Sequence, residues 1–241
     1  MDHRDHVDLL RRGVRHCGPR WADLGSGTGA FTLALADLLG PAGEIWSVDR
    51  DAGALREQHR HMAEQFPVAA VRYIVADFAR PLDLPPLDGF VIANALHFER
   101  DQAAVLARLV THLVPGGRVI LVEYDADHGN QWVPHPISLA RWRGLAAAAG
   151  LVDVREIGRR PSRFLGSIYA AAADRPGTAD GLDPRSANSG VPAVVEDAGV
   201  THARAGAIRS SSGDAWGTDP AVTYDLRGRL GLATAEEGVH S

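Results

Sequence analysis

Lysine is absent from this sequence, and all 25 basic residues among its 241 are arginine. A P-loop needs a lysine against the phosphates, and Schiff-base or pyridoxal chemistry needs a lysine amine. The absence of lysine therefore excludes both of these enzyme classes.

Cysteine is nearly absent as well, since Cys17 is the single one in the chain. One cysteine cannot form a disulfide within the chain, a paired-cysteine zinc site or a cysteine-held iron–sulfur cluster. Radical chemistry on such a cluster is excluded with it, and the sequence predicts no metal site.

Long apolar runs and an excess of positive charge are also missing. No segment approaches the roughly 18 consecutive apolar residues of a membrane span, and the N-terminal stretch MDHRDHVDLLRR lacks the apolar core of a signal peptide. The net charge of −5 disfavours binding to phosphate backbones. We therefore expect a soluble, cytoplasmic protein that binds neither membrane nor nucleic acid.

Runs rich in valine, isoleucine and leucine alternate with helical patterns over residues 1–173, a length that suits one domain. The expected strands are residues 21–24, 44–48, 71–75, 90–96, 118–124, 152–157 and 164–173, and the expected helices are residues 7–14, 31–39, 51–66, 102–113 and 139–149. Continuous apolar strands that alternate with helices predict a parallel sheet covered by helices on both faces.

Residues 174–241 differ in composition from the rest of the chain. They are rich in Gly, Ser, Ala, Asp and Pro, and they show no sustained period of 2 or 3.6 residues. Such composition predicts a low-complexity, disordered C-terminal tail. A short helix near residues 224–233 is the one element that we expect within it.

The stretch ADLGSGTG, residues 22–29, lies where the first strand turns into the following helix. In an open parallel sheet, ligands bind outside the carboxyl ends of the strands. Glycines let the backbone approach a ligand closely, and the helix N-terminus offers free N–H groups. The loop therefore predicts a nucleotide-like cofactor.

Two overlapping patterns in this loop favour different cofactors. Residues 25–30 satisfy G-x-G-x-x-A, with Asp49 at the distance where an acid holds a ribose, which is typical of an NAD(P)-dependent oxidoreductase. Residues 23–29 also satisfy D-x-G-x-G-x-G, with Asp23 at the end of the first strand. An acid at that place suits a ligand that carries positive charge and no pyrophosphate.

Five segments, in order and at the right spacing, resemble the motifs of the class I S-adenosylmethionine-dependent methyltransferases over about residues 1–173. They are ADLGSGTG, EIWSVDRD, VADF, DGFVIANALHF and LVPGGRVILVEYD. The resemblance implies a Rossmann-like, doubly wound, mostly parallel sheet of seven strands, in which the seventh strand is antiparallel and inserted beside the fifth. It also implies S-adenosylmethionine as the cofactor.

The resemblance assigns the glycine-loop residues to one part of that cofactor. The backbone of Gly25, Ser26 and Gly27 would lie under the methionine and ribose portion, and Gly29 completes the motif. Asp23 would orient the amino group of the methionine.

The later motifs supply the remaining cofactor residues that the resemblance implies. Asp49, followed by Arg50, would accept from both ribose hydroxyls, a charged bidentate contact that requires an acid. Asp77 would accept from the adenine amino group, with Phe78 beside the ring. Taken singly, Asp49 and Asp77 are equally well explained as strand-end turn formers.

Asn94 and Ala95, at the exit of the fourth strand, would line the methionine end of the cofactor. For Asn94 a bond to neighbouring backbone is an equally good explanation.

Methyl transfer from a sulfonium is an in-line displacement that needs alignment and no covalent enzyme intermediate. A hydroxyl acceptor benefits from a base, whereas an amine or an acidic carbon needs positioning alone. His97, after the fourth strand, and His135, in the loop after the fifth, are the candidate general bases. His128 in the same loop is better explained as a polar loop residue.

The acceptor is expected to be a small molecule, with O-methylation preferred over N- or C-methylation. The acid- or asparagine-Pro-Pro-aromatic signature of nucleobase and glutamine methylases is missing, because IANALHF stands in its place. The N-terminal helix and residues 125–136, or a second subunit in a homodimer, would cover the site. A non-catalytic domain that binds S-adenosylmethionine for a partner protein is a further alternative.

Overall fold

The protein is described here by a computed structural model that covers residues 1–162 and 164–177. Its helices are α1 His3–Val14, α2 Ala30–Leu39, α3 Ala52–Gln65, α4 Gln102–Val110 and α5 Leu139–Ala148. Its strands are β1 Arg20–Leu24, β2 Glu44–Asp49, β3 Ala70–Val75, β4 Leu87–Ala93, β5 Leu113–Tyr124, β6 Val152–Ser162 and β7 Gly166–Asp174. Short 3-10 turns occupy Gly40–Ala42 and Leu96–Phe98.

The strands form one seven-stranded sheet in the order β3-β2-β1-β4-β5-β7-β6. The pairs from β3 to β5 are parallel, and β7 is antiparallel to both of its neighbours. This arrangement confirms the Rossmann-like sheet with one antiparallel late strand beside the fifth. The reversal of strand order between β1 and β4 places the carboxyl ends of these two strands at the usual ligand-binding crevice.

Two apolar layers cover the sheet, one on each face. Successive residues of β5 alternate between them, with Ile120 and Val122 packed in the layer that holds α1 and α2 and Leu121 in the layer that holds α4 and α5. Strands buried on both faces need apolar side chains at every position, which explains the continuous runs in the sequence.

The N-terminal helix forms part of this core and begins earlier than the apolar pattern indicates. Asp2 caps α1 in a reciprocal box with Asp5, so the helix starts at His3. Gly13 lets it approach the sheet, because a Cβ there would lie 2.5 Å from Cδ1 of Ile120. Arg160 of β6 also binds its first turns through Asp5 and Asp8.

Other boundaries also differ from the sequence prediction; β5, for example, begins at Leu113 rather than at residue 118, and β6 continues to Ser162 rather than ending at residue 157. Helix α4 ends at Val110, three residues before the expected end, because Leu113 already pairs with Leu87 of β4. At the other end of the domain, β7 continues to Asp174, whose carboxylate accepts from Nε of Arg118 at 2.6 Å. The expected tail from residue 178 onward and its helix at 224–233 lie outside the described residues.

Among the residues that the structure describes, no helix combines the length and the apolar content that crossing a membrane requires.

Replacing Gly89 by Ala should destabilise the fold. A Cβ at this β4 position would lie 2.5 Å from Cη2 of Trp21, which is fully buried in the neighbouring strand. Overpacking of this kind costs about 1–3 kcal/mol, which urea denaturation will measure. Gly144→Ala is the control, because nothing lies within 4 Å of its added Cβ and alanine favours the α5 helix. Equal stability of the two variants would contradict the packing argument.

Candidate functional site

The glycine loop between β1 and α2 needs glycine for its backbone conformation. Gly25, Gly27 and Gly29 have φ angles of 75°, 53° and 93°, in the left-handed region that side chains disfavour. Gly25 also has no room for a side chain, since a Cβ would lie 2.6 Å from Cβ of Ala95 and 3.1 Å from Cε1 of Phe78. The loop and the segments after β3 and β4 therefore meet at one point, as the resemblance implies.

Hydrogen bonds hold this loop onto the end of β2. The N–H groups of Gly25 and Ser26 donate to the carbonyl oxygen of Val48 at 2.8 and 3.1 Å, and the N–H of Gly27 donates to Oδ2 of Asp49 at 2.7 Å. These three donors are occupied by the protein itself, so a ligand at the loop would pack against the glycine backbone rather than bond to these N–H groups.

The two strand-end acids act locally as turn formers. Oδ1 of Asp49 accepts from the N–H of Asp51 at 2.8 Å, and Oδ1 of Asp77 accepts from the N–H of Ala79 at 2.9 Å. A carboxylate oxygen has more than one acceptor site, so these bonds leave each acid able to accept from a ligand. Arg50, next to Asp49, is exposed.

A buried polar network that the sequence analysis missed lies beneath the loop. Oε1 of Gln58, on α3, accepts from the hydroxyl of Ser47 at 3.0 Å and from that of Ser26 at 3.4 Å. The Ser47 hydroxyl also lies 2.8 Å from that of Ser26. Gln58 fills the space that a side chain at Gly29 would need, because a Cβ there would lie 2.3 Å from its Cγ.

Among the residues that the structure describes, two buried oxygens in the site find no hydrogen-bond partner. They are Oδ1 of Asp23, at the β1 exit, and Oδ1 of Asn94, at the β4 exit. The other oxygen of Asp23 accepts from the Thr32 hydroxyl at 2.6 Å, and burial raises the pKa of the Asp23 carboxyl to about 7. Two unpartnered acceptors on adjacent strands fit a cationic donor group, because leaving buried polar groups unpaired is costly.

His97 is brought against a buried acid that sequence reasoning did not identify. Its Nδ1 lies 2.7 Å from Oε2 of Glu123, and its backbone N–H donates to Oε1 of the same residue at 3.2 Å. His97 is 3% exposed and Glu123 is fully buried. The one signal for Glu123 in the sequence is its position as a single acid inside the apolar run VILVEY.

The second candidate base lies in the loop that packs on His97. The N–H of His135 donates to the carbonyl oxygen of His97 at 3.1 Å, and Nε2 of Gln102 donates to the carbonyl oxygen of His135 at 2.7 Å. Oε1 of Gln102 in turn accepts from Nε of Arg141 at 3.1 Å. The backbones of both candidate bases therefore meet, whereas His128 is exposed on the same loop.

Replacing Gln58 by Leu should destabilise the protein by about 1–3 kcal/mol. The change leaves the Ser26 and Ser47 hydroxyls without their shared acceptor in a buried place. Denaturant unfolding measures the loss, and amide exchange of the loop should quicken. Gln65→Leu, at the exposed end of the same helix, is the matched control and should stay within about 0.5 kcal/mol of the parent. A Gln58 variant as stable as its control would mean that the network contributes nothing.

A family model described as a methyltransferase domain matches residues 22–117. This span runs from the end of β1 to the Pro-Gly-Gly turn in β5, and so it includes the glycine loop, Asp49, Asp77 and His97.

Curated relatives extend the likeness. A ubiquinone/menaquinone biosynthesis C-methyltransferase UbiE of Stutzerimonas stutzeri is 31% identical over 115 residues, which cover 47% of this chain and 44% of the relative. A probable cobalt-precorrin-6B C(15)-methyltransferase (decarboxylating) of Thermoplasma volcanium is 27% identical over 170 residues, which cover 70% of this chain and 79% of the relative. The chain thus spans less than half the length of the first of these two proteins.

A solved structure shares the fold. The 1,6-didemethyltoxoflavin-N1-methyltransferase of Burkholderia thailandensis, with bound 1,6-didemethyltoxoflavin and S-adenosylhomocysteine, superposes with a TM-score of 0.57 at 18% identity, covering 72% of this chain and 78% of that one. The family model, the relatives and this architecture agree with the five sequence motifs. Together they support a methyltransferase domain over residues 22–117 and the resemblance to the class I S-adenosylmethionine-dependent methyltransferases.

Proposed function

We propose that this protein binds S-adenosylmethionine and transfers its methyl group to a small-molecule acceptor. The observation that carries the proposal is the pair of buried, unpartnered oxygens on Asp23 and Asn94 beside the glycine loop. The methionine part of S-adenosylmethionine bears an ammonium group, which supplies donors for such acceptors.

The residues around the loop fit the rest of this molecule. Asp49 would accept from the ribose hydroxyls and Asp77 from the adenine amino group, with Phe78 beside the ring. Ala95 would lie near the methionine end. When bound, the cofactor supplies an electrophilic methyl group on a positively charged sulfur.

A nicotinamide dinucleotide fits the same loop less well. Its pyrophosphate would bring negative charge to a site whose buried groups include Asp23 and Asn94, both of which offer unpartnered acceptor oxygens. The loop N–H groups of Gly25, Ser26 and Gly27, which would have to solvate the phosphates, are already bonded to β2. Both points favour the methyl donor over NAD(P).

Calorimetric titration with S-adenosylhomocysteine tests the cofactor assignment. Asp49→Asn should weaken binding by about tenfold or more, because charged hydrogen bonds contribute roughly 1.5–3 kcal/mol. Asp51→Asn is the matched control: it removes the same charge two residues away and keeps a good N-cap for α3. Equal binding by both variants would refute the role of Asp49, and preferential binding of NAD would refute the assignment as a whole.

The pair of His97 and Glu123 supports a base at the reaction centre. When the ring proton of His97 is on Nδ1, which lies 2.7 Å from Oε2 of Glu123, the other ring nitrogen, Nε2, carries the lone pair that accepts a proton. The burial of both side chains keeps water from competing for that proton. His135 would act from the adjoining loop, where its side chain is half-buried.

A base of this kind favours an acceptor atom with an acidic proton. A hydroxyl group, the acceptor that the sequence analysis prefers, meets this condition, and so does an acidic carbon. Two relatives are named as C-methyltransferases, which supports the second possibility. We propose an acceptor of this class, with the choice between oxygen and carbon set by the molecule bound.

Formation of S-adenosylhomocysteine, with catechol and acetylacetone as hydroxyl and carbon probes, tests the base. His97→Gln should lower the rate by about 10²–10⁴-fold and leave the affinity for S-adenosylhomocysteine unchanged. Glu123→Gln should lower the rate less, since Nδ1 of His97 loses the carboxylate that orients the ring. His128→Gln, in the exposed part of the loop, is the control and should behave as the parent. Full activity of the His97 variant would show that positioning alone suffices.

A further inference from the structure

Thr32 lies in the first turn of α2 and is completely buried. Its hydroxyl donates to Oδ2 of Asp23 at 2.6 Å, a short distance that is typical of a hydroxyl bonded to a charged carboxylate. Asp23 is 1% exposed, and its Oδ1 has no hydrogen-bond partner in the described part of the chain. One oxygen of this carboxylate is therefore held and the other is left free.

This arrangement fixes the orientation of the Asp23 side chain. A buried carboxylate bonded to one donor cannot rotate without breaking that bond, so the free oxygen keeps its direction. Without the Thr32 hydroxyl, Asp23 would lose its stronger donor and keep the weaker effect of the Thr32 backbone N–H, so its orientation would be less firmly held. A methyl group in place of the hydroxyl would keep the volume and remove the donor.

The surroundings of Asp23 contain one charge that acts on it, and that charge is repulsive. Asp49 of β2 opposes ionisation of Asp23, whereas the α2 side meets it with the neutral Thr32, whose hydrogen bonds favour ionisation. Burial is the larger effect and the Thr32 hydrogen bond works against it. The carboxylate form therefore depends on this hydroxyl and on whatever cation meets the free oxygen.

We propose that Thr32 is a positioning residue, which holds Asp23 with one oxygen free to receive the ammonium group of the methyl donor. The inference rests on the proposed cofactor and adds a residue to its site. It makes cofactor binding dependent on one hydroxyl that acts through its hydrogen bond to Asp23.

A proton linkage follows from the same geometry. In the unliganded protein burial raises the pKa of Asp23 to about 7, so the carboxyl is protonated below that pH. An ammonium group favours the carboxylate, so binding displaces this proton and the affinity falls as the pH drops below about 7. The Thr32 hydrogen bond lowers the pKa of Asp23. Removing it should therefore raise that pKa and move the midpoint of the fall in affinity to higher pH.

Titration calorimetry between pH 5.5 and pH 8 tests the proposal on the full chain and on Thr32→Val and Thr32→Ser. The probes are S-adenosylhomocysteine and 5′-methylthioadenosine, which keeps the adenosine and sulfur but lacks the amino-acid part. Thr32→Val should weaken S-adenosylhomocysteine about tenfold at pH 7 and shift the pH midpoint upward. Thr32→Ser should bind like the parent, and 5′-methylthioadenosine should bind all three proteins equally at every pH.

Three outcomes would overturn the inference. If Thr32→Val binds S-adenosylhomocysteine like the parent with the same pH midpoint, Thr32 does not position Asp23. If 5′-methylthioadenosine loses as much affinity as S-adenosylhomocysteine, the role of Thr32 is structural. If the parent protein binds no S-adenosylhomocysteine at any pH, the proposed function fails and this inference fails with it.

Discussion

The convergence of two backbone N–H groups, those of Gly25 and Ser26, on the carbonyl oxygen of Val48 fixes the place where the site forms. The chain must bend sharply at the end of β1 to make these bonds, and the positive φ angles of the loop are the geometric result. With the loop held at the end of β2, Asp49 accepts a hydrogen bond from the Gly27 N–H. The first turn of α2 then places the Thr32 hydroxyl within hydrogen-bond distance of Asp23. This one turn thus links Asp23 and Asp49 to the same loop.

Much of the fold was predictable because its signals are local. Apolar runs mark strands buried on both faces, and Gly40 or Gly150 marks the end of a helix. The glycine loop was predictable for the same reason, since alternate glycines point to a left-handed backbone. The end of α4 was not, because it depends on the pairing of Leu113 with Leu87, which lies far away in the sequence.

The residues of the candidate site likewise fall into those that local sequence motifs identify and those that depend on distant partners. Asp23, Asp49 and Asp77 stand at strand ends and follow recognisable motifs, so sequence could name them. Glu123, Gln58 and Thr32 carry no such marker, because each acquires its meaning from a partner on another element. Glu123 is hydrogen-bonded to His97, which is 26 positions away, and Gln58 is hydrogen-bonded to Ser26, which is 32 positions away. Their roles arise only when the sheet brings those elements together.

The position of β7 has a consequence for the order in which the chain is able to fold. This strand is the last of the described elements, yet it lies between β5 and β6 and pairs with both. Until residues 166–174 leave the ribosome, β6 has no neighbour in the sheet and β5 presents an unpaired edge to other chains. Because α1 packs against β6 and β7, the two ends of the domain must also meet before its core closes. Such non-local closure slows folding, so the nascent chain remains open to edge-to-edge association until its final strand is made.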